Sequence, residues 1–422
     1  MEKLPKKRGK RKGKILRFWQ LKPNPALAII SSSKHEGAAP PGRLKKELNA
    51  MKKLFALLLA CMMVLSLAAC AEKPAEPSET TISTETTTAP TEETTAPAEE
   101  TTAPAEKDAP VEIKVLILPK FESGEMAGDF PGEAQYYYEA YCMDGEEYDV
   151  VGSFEDHKLY VKDGIALYVT GMGKVNTALS LANILTDSRF DFSDAYILST
   201  GCAGSAYGST VMGDVVLGTA TVDFDLGHHA DIRDLSEGAE NTWFYDSSYD
   251  SASYKIMDEE LMNKIFELVK DIPMETTEGT KAFMAKAFDN ADWATRDPMV
   301  LRGTIVTGDN YWKGMYDHAN AIAMTQQYGC PDPFAITEME DNALAVVADR
   351  MGMLDRFIVL RDSVNMDVFM NGATAEQLWD PNFDESLASP ESTESADIFA
   401  TAMKNNFAVG SVIIEAILNG TL

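Results

Sequence analysis

The sequence predicts an α/β fold, a single domain with a central mixed β-sheet flanked by helices. Three observations carry that prediction. Short apolar runs of strand length alternate with segments of helical period from Ile113 to the C-terminus. Glycine-bearing turns separate them, as at Lys162-Asp-Gly164 and Thr170-Gly-Met-Gly-Lys-Val175. After Cys70 no apolar run reaches the roughly 20 residues of a membrane span. The apolar segments therefore read as core elements, not as a permeation channel.

Taken in order, Ile113-Lys-Val-Leu-Ile-Leu118 is a buried-strand run, followed by a glycine-rich acidic loop from Pro119 to Glu133. Residues 158–170 read as a hairpin turning at Lys162-Asp-Gly164. Gly171-Met-Gly-Lys-Val175 opens a helix that runs to Leu185. Ala195 to Ser199 is a strand ending in Thr200-Gly-Cys-Ala-Gly204, where small residues let a ligand approach the backbone closely. Gly213-Asp214 precedes another strand, from Val215. From Thr221 to about Pro298 the chain is rich in insertions, with long loops and helices, one of them over 258–270. Gly303 to Thr307 is a strand, and 396–419 a final helix.

The stretch from Ala335 to Asp367 organises the rest. Glu338, Glu340 and Asp341 stand at the start of an apolar-periodic run through Ala343, Leu344, Val347 and Met351, which predicts an amphipathic helix. Acidic residues there suit the positive end of the helix dipole. Gly352 ends the helix, and Phe357 to Leu360 is a short buried strand. A polar cluster, Arg361 to Asp367, follows its C-terminal end, the place where open α/β sheets bind ligands.

The chain has 422 residues, 37 of them basic and 66 acidic, for a net charge of −29. About fourteen of the cations fall in residues 1–50, including Lys6-Lys-Arg-Gly-Lys-Arg-Lys12. Such a run can mark nucleic-acid binding. Met51, however, begins a complete secretory signal with a basic start, an apolar middle and small residues before a cysteine. Residues 1–50 are then an extension from a mis-called start, and 51–69 a signal peptide. Leu67-Ala-Ala-Cys70 resembles a bacterial lipobox, which makes Cys70 a lipidated first residue and puts the protein outside the cytoplasm, anchored to the cell membrane. Residues 70–110, built of Thr, Glu, Pro and Ala, have too little apolar surface to fold and read as a tether. Residues 111–422 form the folded domain. Without residues 1–69 the charge is roughly −42, which repels nucleic acid but not a neutral, sugar-bearing substrate. Cys142, Cys202 and Cys330 form neither a disulfide framework nor a zinc spacing, so no metal or cofactor is expected.

Several short motifs fall in a telling order: Gly171-Met-Gly-Lys-Val, Ser199-Thr-Gly-Cys-Ala-Gly204, Gly213-Asp214, Thr307-Gly-Asp-Asn-Tyr-Trp-Lys-Gly314, Glu338-Met-Glu-Asp341 and Ser363 to Asp367. Each alone is weak. In this order they resemble the nucleoside phosphorylase/nucleosidase superfamily. The Gly308-Asp309-x-Tyr311-Trp312 and Glu338-Met-Glu-Asp341 versions are most similar to its purine nucleoside permease family. The resemblance implies a nucleoside phosphorylase-like fold, a purine nucleoside as ligand and a homo-oligomer.

It also implies roles. Glu340 bonds the ribose hydroxyls, and its charge favours an oxocarbenium-like transition state. Met339 packs on the sugar, with Glu338 and Asp341 beside it. Gly201, Cys202, Ala203 and Asp309 lie at the ligand. Asn365 meets the purine; an amide bonds a purine nitrogen or carbonyl but cannot give up a full proton. Asn-bearing members suggest 6-oxopurines. Asp367 is the alternative acid, and Val364 stands where the superfamily usually has Ser. Tyr311 and Trp312 either stack on the base or are ordinary core aromatics. The phosphate-holding arginines of the phosphorylases are replaced by Ser199 and by a loop with Lys120, which argues against phosphorolysis. Water is then the nucleophile, and Glu125 or Glu122 in the first loop is the general base. His228-His229, with Asp225 and Asp231, reads as a polar loop, not a metal site, since adjacent strand residues face opposite ways; a substrate contact by one of the histidines is the alternative. The leading function is a surface-tethered purine nucleosidase; the alternatives are a nucleoside-binding lipoprotein that feeds a separate transporter, or a phosphorylase.

Overall fold

The computed structural model describes residues 109–239, 241–370, 373–376 and 392–422. The signal sequence, Cys70 and the tether up to residue 108 lie outside the described residues. The apolar runs become strands β1 (Val115–Leu118), β2 (Glu146–Asp149), β3 (Lys158–Lys162), β4 (Ile165–Leu167), β5 (Tyr196–Ser205) and β6 (Val215–Asp223). β7 (Tyr254–Ile256), β8 (Val300–Thr307), β9 (Phe334–Glu338) and β10 (Phe357–Met366) complete a ten-stranded sheet. Its order is β7-β6-β8-β9-β5-β1-β4-β3-β2, and β10 bonds to both β5 and β6. The sheet is mixed: β10 runs parallel to β5 and antiparallel to β6, while β9 runs parallel to β8 and antiparallel to β5. With the parallel β6–β8 pair, these contacts close β5, β10, β6, β8 and β9 into a ring.

Helices follow where the period changes to 3.6. They are α1 (Gln135–Tyr137, continued as a π-turn over Tyr138–Cys142), α2 (Lys174–Leu185), α3 (Glu259–Val269), α4 (Glu278–Ala287), α5 (Met315–Gln327), α6 (Asp341–Arg350) and α7 (Ser392–Leu418). α2 packs on α6, and α7 lies along β5 and β10 with Ala402, Val409, Ile413 and Ile414 buried. β1, β6 and the first half of β10 are buried on both faces, as expected of strands covered by helices on each side. Among the described residues no helix is long and apolar enough to cross a membrane.

Some local readings hold to the residue. The β3–β4 hairpin turns at Asp163 and Gly164, both at positive φ (51° and 81°), as a two-residue hairpin turn requires. Asp258 caps α3 through the Leu261 amide at 2.8 Å. Others need correction. The strand expected to stop at Leu360 runs on through the polar cluster to Met366. The strand expected to end at Ser199 likewise continues through the small residues to Ser205. The two extensions pair with each other, residue by residue, from Phe357↔Ile197 to Met366↔Ser205. Polar sequence here marks a strand face turned towards a cavity, not the end of a strand.

β5 changes neighbours along its length. Tyr196 to Ser199 pair with β1, whereas Gly204 and Ser205 pair with β9. The strands on that side diverge over Thr200 to Ala203, leaving a gap at the C-terminal ends of β1 and β9. A buried cation holds the gap together. Arg361 donates to Asp341 (2.8 and 2.9 Å), Glu338 (3.0 Å), Glu340 (3.0 Å) and the Cys202 carbonyl (3.1 Å). It thereby joins β10, β5 and the start of α6. Removing one partner of a buried ion pair costs about 3–5 kcal/mol, because the other stays desolvated and alone. Arg361→Met is expected to lose that much, measured by urea unfolding at pH 7. A loss under about 1 kcal/mol, the scale of an exposed pair, would show that the cage does not hold the ring.

Candidate active site

A cavity of about 190 Å³ opens in this gap. Three sets of walls face it: Lys120, Phe121 and Glu133 after β1; Cys202 to Gly204 on β5; and Thr337 to Glu340 with Val364 to Asp367 from β9 and β10.

The three acids at the head of α6 have three different tasks. Glu338 accepts from the backbone amides of Glu340 (2.5 Å) and Asp341 (2.8 Å) and from the Thr307 hydroxyl, so it caps the helix that follows it. Burial, reinforced by the Asp341 charge, pushes its carboxyl up. Asp341 faces away from the cavity, held by Arg361 and by the Ser199 hydroxyl at 2.5 Å. Burial would raise it, but Arg361 and Lys120 outweigh burial and hold it below the ordinary range. Glu340 turns into the cavity. Its Oε1 accepts from the Gly173 amide at 2.9 Å and its Oε2 from Arg361. Gly173 has φ +89°, a conformation that only glycine adopts freely, and it thereby aims its N–H at the carboxylate. Met339 lines the cavity beside it.

Glu133 faces the same cavity and was not among the residues read from the sequence. Its Oε2 accepts from the Lys120 amide at 2.7 Å and its Oε1 from the Cys202 amide at 2.8 Å. The carboxylate lies against Gly201, where an added Cβ would come within 2.4 Å of it; Gly201 also has φ +148°. Burial raises the Glu133 carboxyl, the Glu340 charge adds to that, and Arg361 and Lys120 oppose it. One sequence signal was available. Glu133 stands two residues before the start of α1, and Glu340 one residue before the start of α6.

Two residues expected to act as base are elsewhere. Glu125 is exposed and does not line the cavity. Glu122 folds the loop back instead, accepting from the Gly132 amide and from those of Ala134 (3.0 Å) and Gln135 (2.7 Å). That clasp carries Glu133 inward and leaves Glu125 outside.

At the other end of the cavity, β10 skips a residue. Ser363 pairs with Ala203 and Asn365 with Gly204, so Val364 is extra. A bulge of this kind re-aims the next side chain, and Asn365 faces the cavity. It bonds the Tyr311 hydroxyl at the cavity's lip. Trp312 reaches the wall but is a core aromatic, stacked on Phe224 at 4.9 Å. Asp367 lines the cavity and is otherwise buried. Cys202 and Ala203 line it too, whereas Gly201 does not, since Glu133 occupies the space that its missing side chain leaves.

Asp309 is not a cavity residue. It accepts from the Lys174 amide at 2.9 Å at the start of α2, and its own amide bonds Asp225 at 2.6 Å. His228 and His229 form a short exposed strand against Trp243–Phe244. Among the described residues no cluster of three His, Cys, Asp or Glu could hold a metal ion.

Both cations that line the cavity are committed to protein acceptors. Arg361 is caged, and Lys120 Nζ donates to the Leu118 carbonyl (2.5 Å), Ser199 Oγ (2.8 Å) and the Thr200 carbonyl (3.0 Å). Burial, with repulsion from Arg361, lowers the Lys120 ammonium to about 8.

A probable purine nucleoside permease of Schizosaccharomyces pombe is 27% identical over 238 residues, covering 50% of this chain and 67% of that protein. A purine nucleoside permease of Candida albicans is 24% identical over 217 residues, covering 47% of this chain and 53% of that protein. The similar stretch is thus about half to two thirds of those relatives' length. Among solved structures, a 5′-methylthioadenosine/S-adenosylhomocysteine nucleosidase of Neisseria meningitidis has a TM-score of 0.42 and 17% identity, covering 72% of this chain and 99% of that one. A futalosine hydrolase of Helicobacter pylori has 0.44 and 15%, covering 72% and 97%. Likeness of that size leaves the chemistry to be read from the cavity itself. The family profile described as purine nucleoside permease (NUP) matches residues 112–421. That span takes in the ring of strands and every wall of the cavity, and the chain belongs to the purine nucleoside permease family.

Proposed function

We propose that the cavity binds a purine nucleoside and hydrolyses its N-ribosidic bond, with water as nucleophile. One observation carries the reading: two buried carboxylates, Glu133 and Glu340, line one cavity whose cations are both already paired. Glu340 accepts the ribose hydroxyls, and its charge favours the cationic sugar of the transition state. Glu133 takes the proton of the attacking water. Met339 packs under the sugar, and Asn365 bonds the base. Phosphate would meet several buried carboxylates and, among the described residues lining the cavity, no unpaired cation, which disfavours phosphorolysis. The place of action in this reading is an extracytoplasmic surface, with Cys70 of the lipobox-like Leu67-Ala-Ala-Cys70 as the lipid anchor.

A second reading, a nucleoside-binding protein that hands its ligand to a separate transporter, is favoured by the word permease in the relatives' names. Assays of the purified protein with inosine, guanosine and adenosine, with and without phosphate, separate the two. Free ribose without phosphate is expected, and Glu340→Ala should lower its release about 10²–10³-fold. Sugar phosphate formed only with phosphate would overturn hydrolysis. Saturable binding without turnover would select the second reading.

The pH dependence has a defined sign. A general base acts ionised, and burial holds Glu133 above the ordinary glutamate value of about 4.3. Turnover should therefore rise with pH through a limb displaced above that value. Glu133→Gln should reduce kcat about 10²–10⁴-fold and abolish the limb. An unchanged acid limb in this variant would exclude Glu133 as the base.

A further inference from the structure

The two ends of the cavity are built by segments far apart in the chain. At the sugar end, the Gly173 amide holds Glu340 Oε1 at 2.9 Å. At the base end, the loop between β8 and α5 supplies Asn310, Tyr311 and Trp312 to the wall, and the Tyr311 hydroxyl bonds Asn365. Backbone bonds pin that loop at its two feet. The Gly308 amide bonds the Glu338 carbonyl at 2.9 Å, and the Gly314 amide bonds the Asp367 carbonyl at 2.8 Å. Between the feet Tyr311 is exposed, so the crest of the loop depends on other contacts for its place.

One side chain outside the cavity joins the two ends. Lys174, the first residue of α2, directly follows Gly173. Its Nζ donates to Asp223 Oδ1 (2.9 Å) and Oδ2 (3.2 Å) and to Asp225 Oδ2 (2.8 Å), with Asp309 Oδ2 3.9 Å away. Asp223 ends β6, and its Oδ1 also accepts from the amides of Asp225 (2.9 Å) and Leu226 (3.0 Å). Asp225 accepts in turn from the Asp309 amide at 2.6 Å and from Asn310 Nδ2 at 3.1 Å. It thus grips the loop by the two residues before Tyr311. Asp309 closes the circuit, its Oδ1 accepting from the Lys174 amide at 2.9 Å. Burial would lower the Lys174 ammonium, but Asp225 and Asp223 outweigh burial and hold it above the ordinary range. Neither Lys174 nor any of the three aspartates lines the cavity.

We infer that Lys174 is a positioning residue for the nucleoside, tying the amide that orients Glu340 and the loop that presents Tyr311 to the same end of β6. This rests on the cavity taking a purine nucleoside, and does not require hydrolysis. Without the ammonium, Asp223, Asp225 and Asp309 repel one another. The loop then loses its hold at Asp225, and the first turn of α2 loses its anchor beside Gly173. Both halves of the ligand feel the change, although Lys174 touches neither.

Two kinds of probe separate the ends. Hypoxanthine and adenine reach the base end alone. C-nucleoside analogues of inosine and adenosine occupy both ends, and their carbon–carbon bond at C1′ is not hydrolysed. Dissociation constants are measured by calorimetry on the purified protein, with thermal unfolding as the check on folding. Lys174→Gln should weaken the base about 10-fold and the C-nucleoside about 100-fold. In Glu340→Ala, where the sugar hold is already gone, adding Lys174→Gln should weaken the C-nucleoside only as much as it weakens the base, about 10-fold. Asp225→Ala releases the loop alone and should weaken base and C-nucleoside by the same factor; it carries the test should Lys174→Gln not fold. Folded variants that bind both probes as wild type does, with only a lower Tm, would overturn the proposal in favour of a purely stabilising ion cluster. A full 100-fold loss in the Glu340→Ala background would overturn the link to Glu340. A wild-type protein that binds none of the four probes would refute the nucleoside reading and this inference with it, an outcome distinct from failure of the clamp alone.

Discussion

The site depends on one buried guanidinium. Arg361 touches three carboxylates and a carbonyl that come from three different elements, and its side chain is buried. Apolar residues of similar volume can replace such a cluster with little loss of stability, so stability alone does not explain it. What it adds is direction. With Glu338 capping α6 and Asp341 gripping Arg361 from below, Glu340 is left facing the cavity, with Arg361 and the Gly173 amide each holding one of its oxygens. The same cation lies near Glu133 and tempers the cost of burying that carboxylate. One arginine thus sets the orientation of one glutamate and the electrostatics of the other.

Much of this was legible in the sequence where local chemistry decides the outcome. The I′ turn at Asp163-Gly164, the cap at Asp258, the helix behind Glu340 and the glycine opening at Gly173 each follow from two to five neighbouring residues. The motif order from Gly171 to Asp367 likewise led to the family, since every one of those segments lies at an edge of the cavity or beside one.

What stayed hidden depends on contacts distant in sequence. Glu133 could not be told from Glu125 by composition, because the clasp of Glu122 on three backbone amides decides which of them turns inward. Asp309 sits inside a family motif yet serves the helix start at Lys174, 135 positions away. The ends of β5 and β10 looked like loops because they are polar and small. They are strands because each is the other's partner, and the bulge at Val364 that aims Asn365 exists only in that pairing.

The choice between holding a nucleoside and cleaving it turns on Glu133. A protein that only binds a neutral nucleoside needs donors and acceptors for its hydroxyls and base edges, and hydroxyl or amide side chains supply these without burying charge. A carboxylate buried against a glycine at φ +148° is a costly way to hold a sugar. Its two backbone amide bonds fix its position but leave a lone pair on each oxygen. Burial raises its proton affinity, which weakens it as a simple anion and improves it as a base near neutral pH. An acceptor of protons is useful only where a proton is released. Under the proposed hydrolysis, that source is a water molecule attacking the sugar carbon, with Glu340 favouring its positive charge.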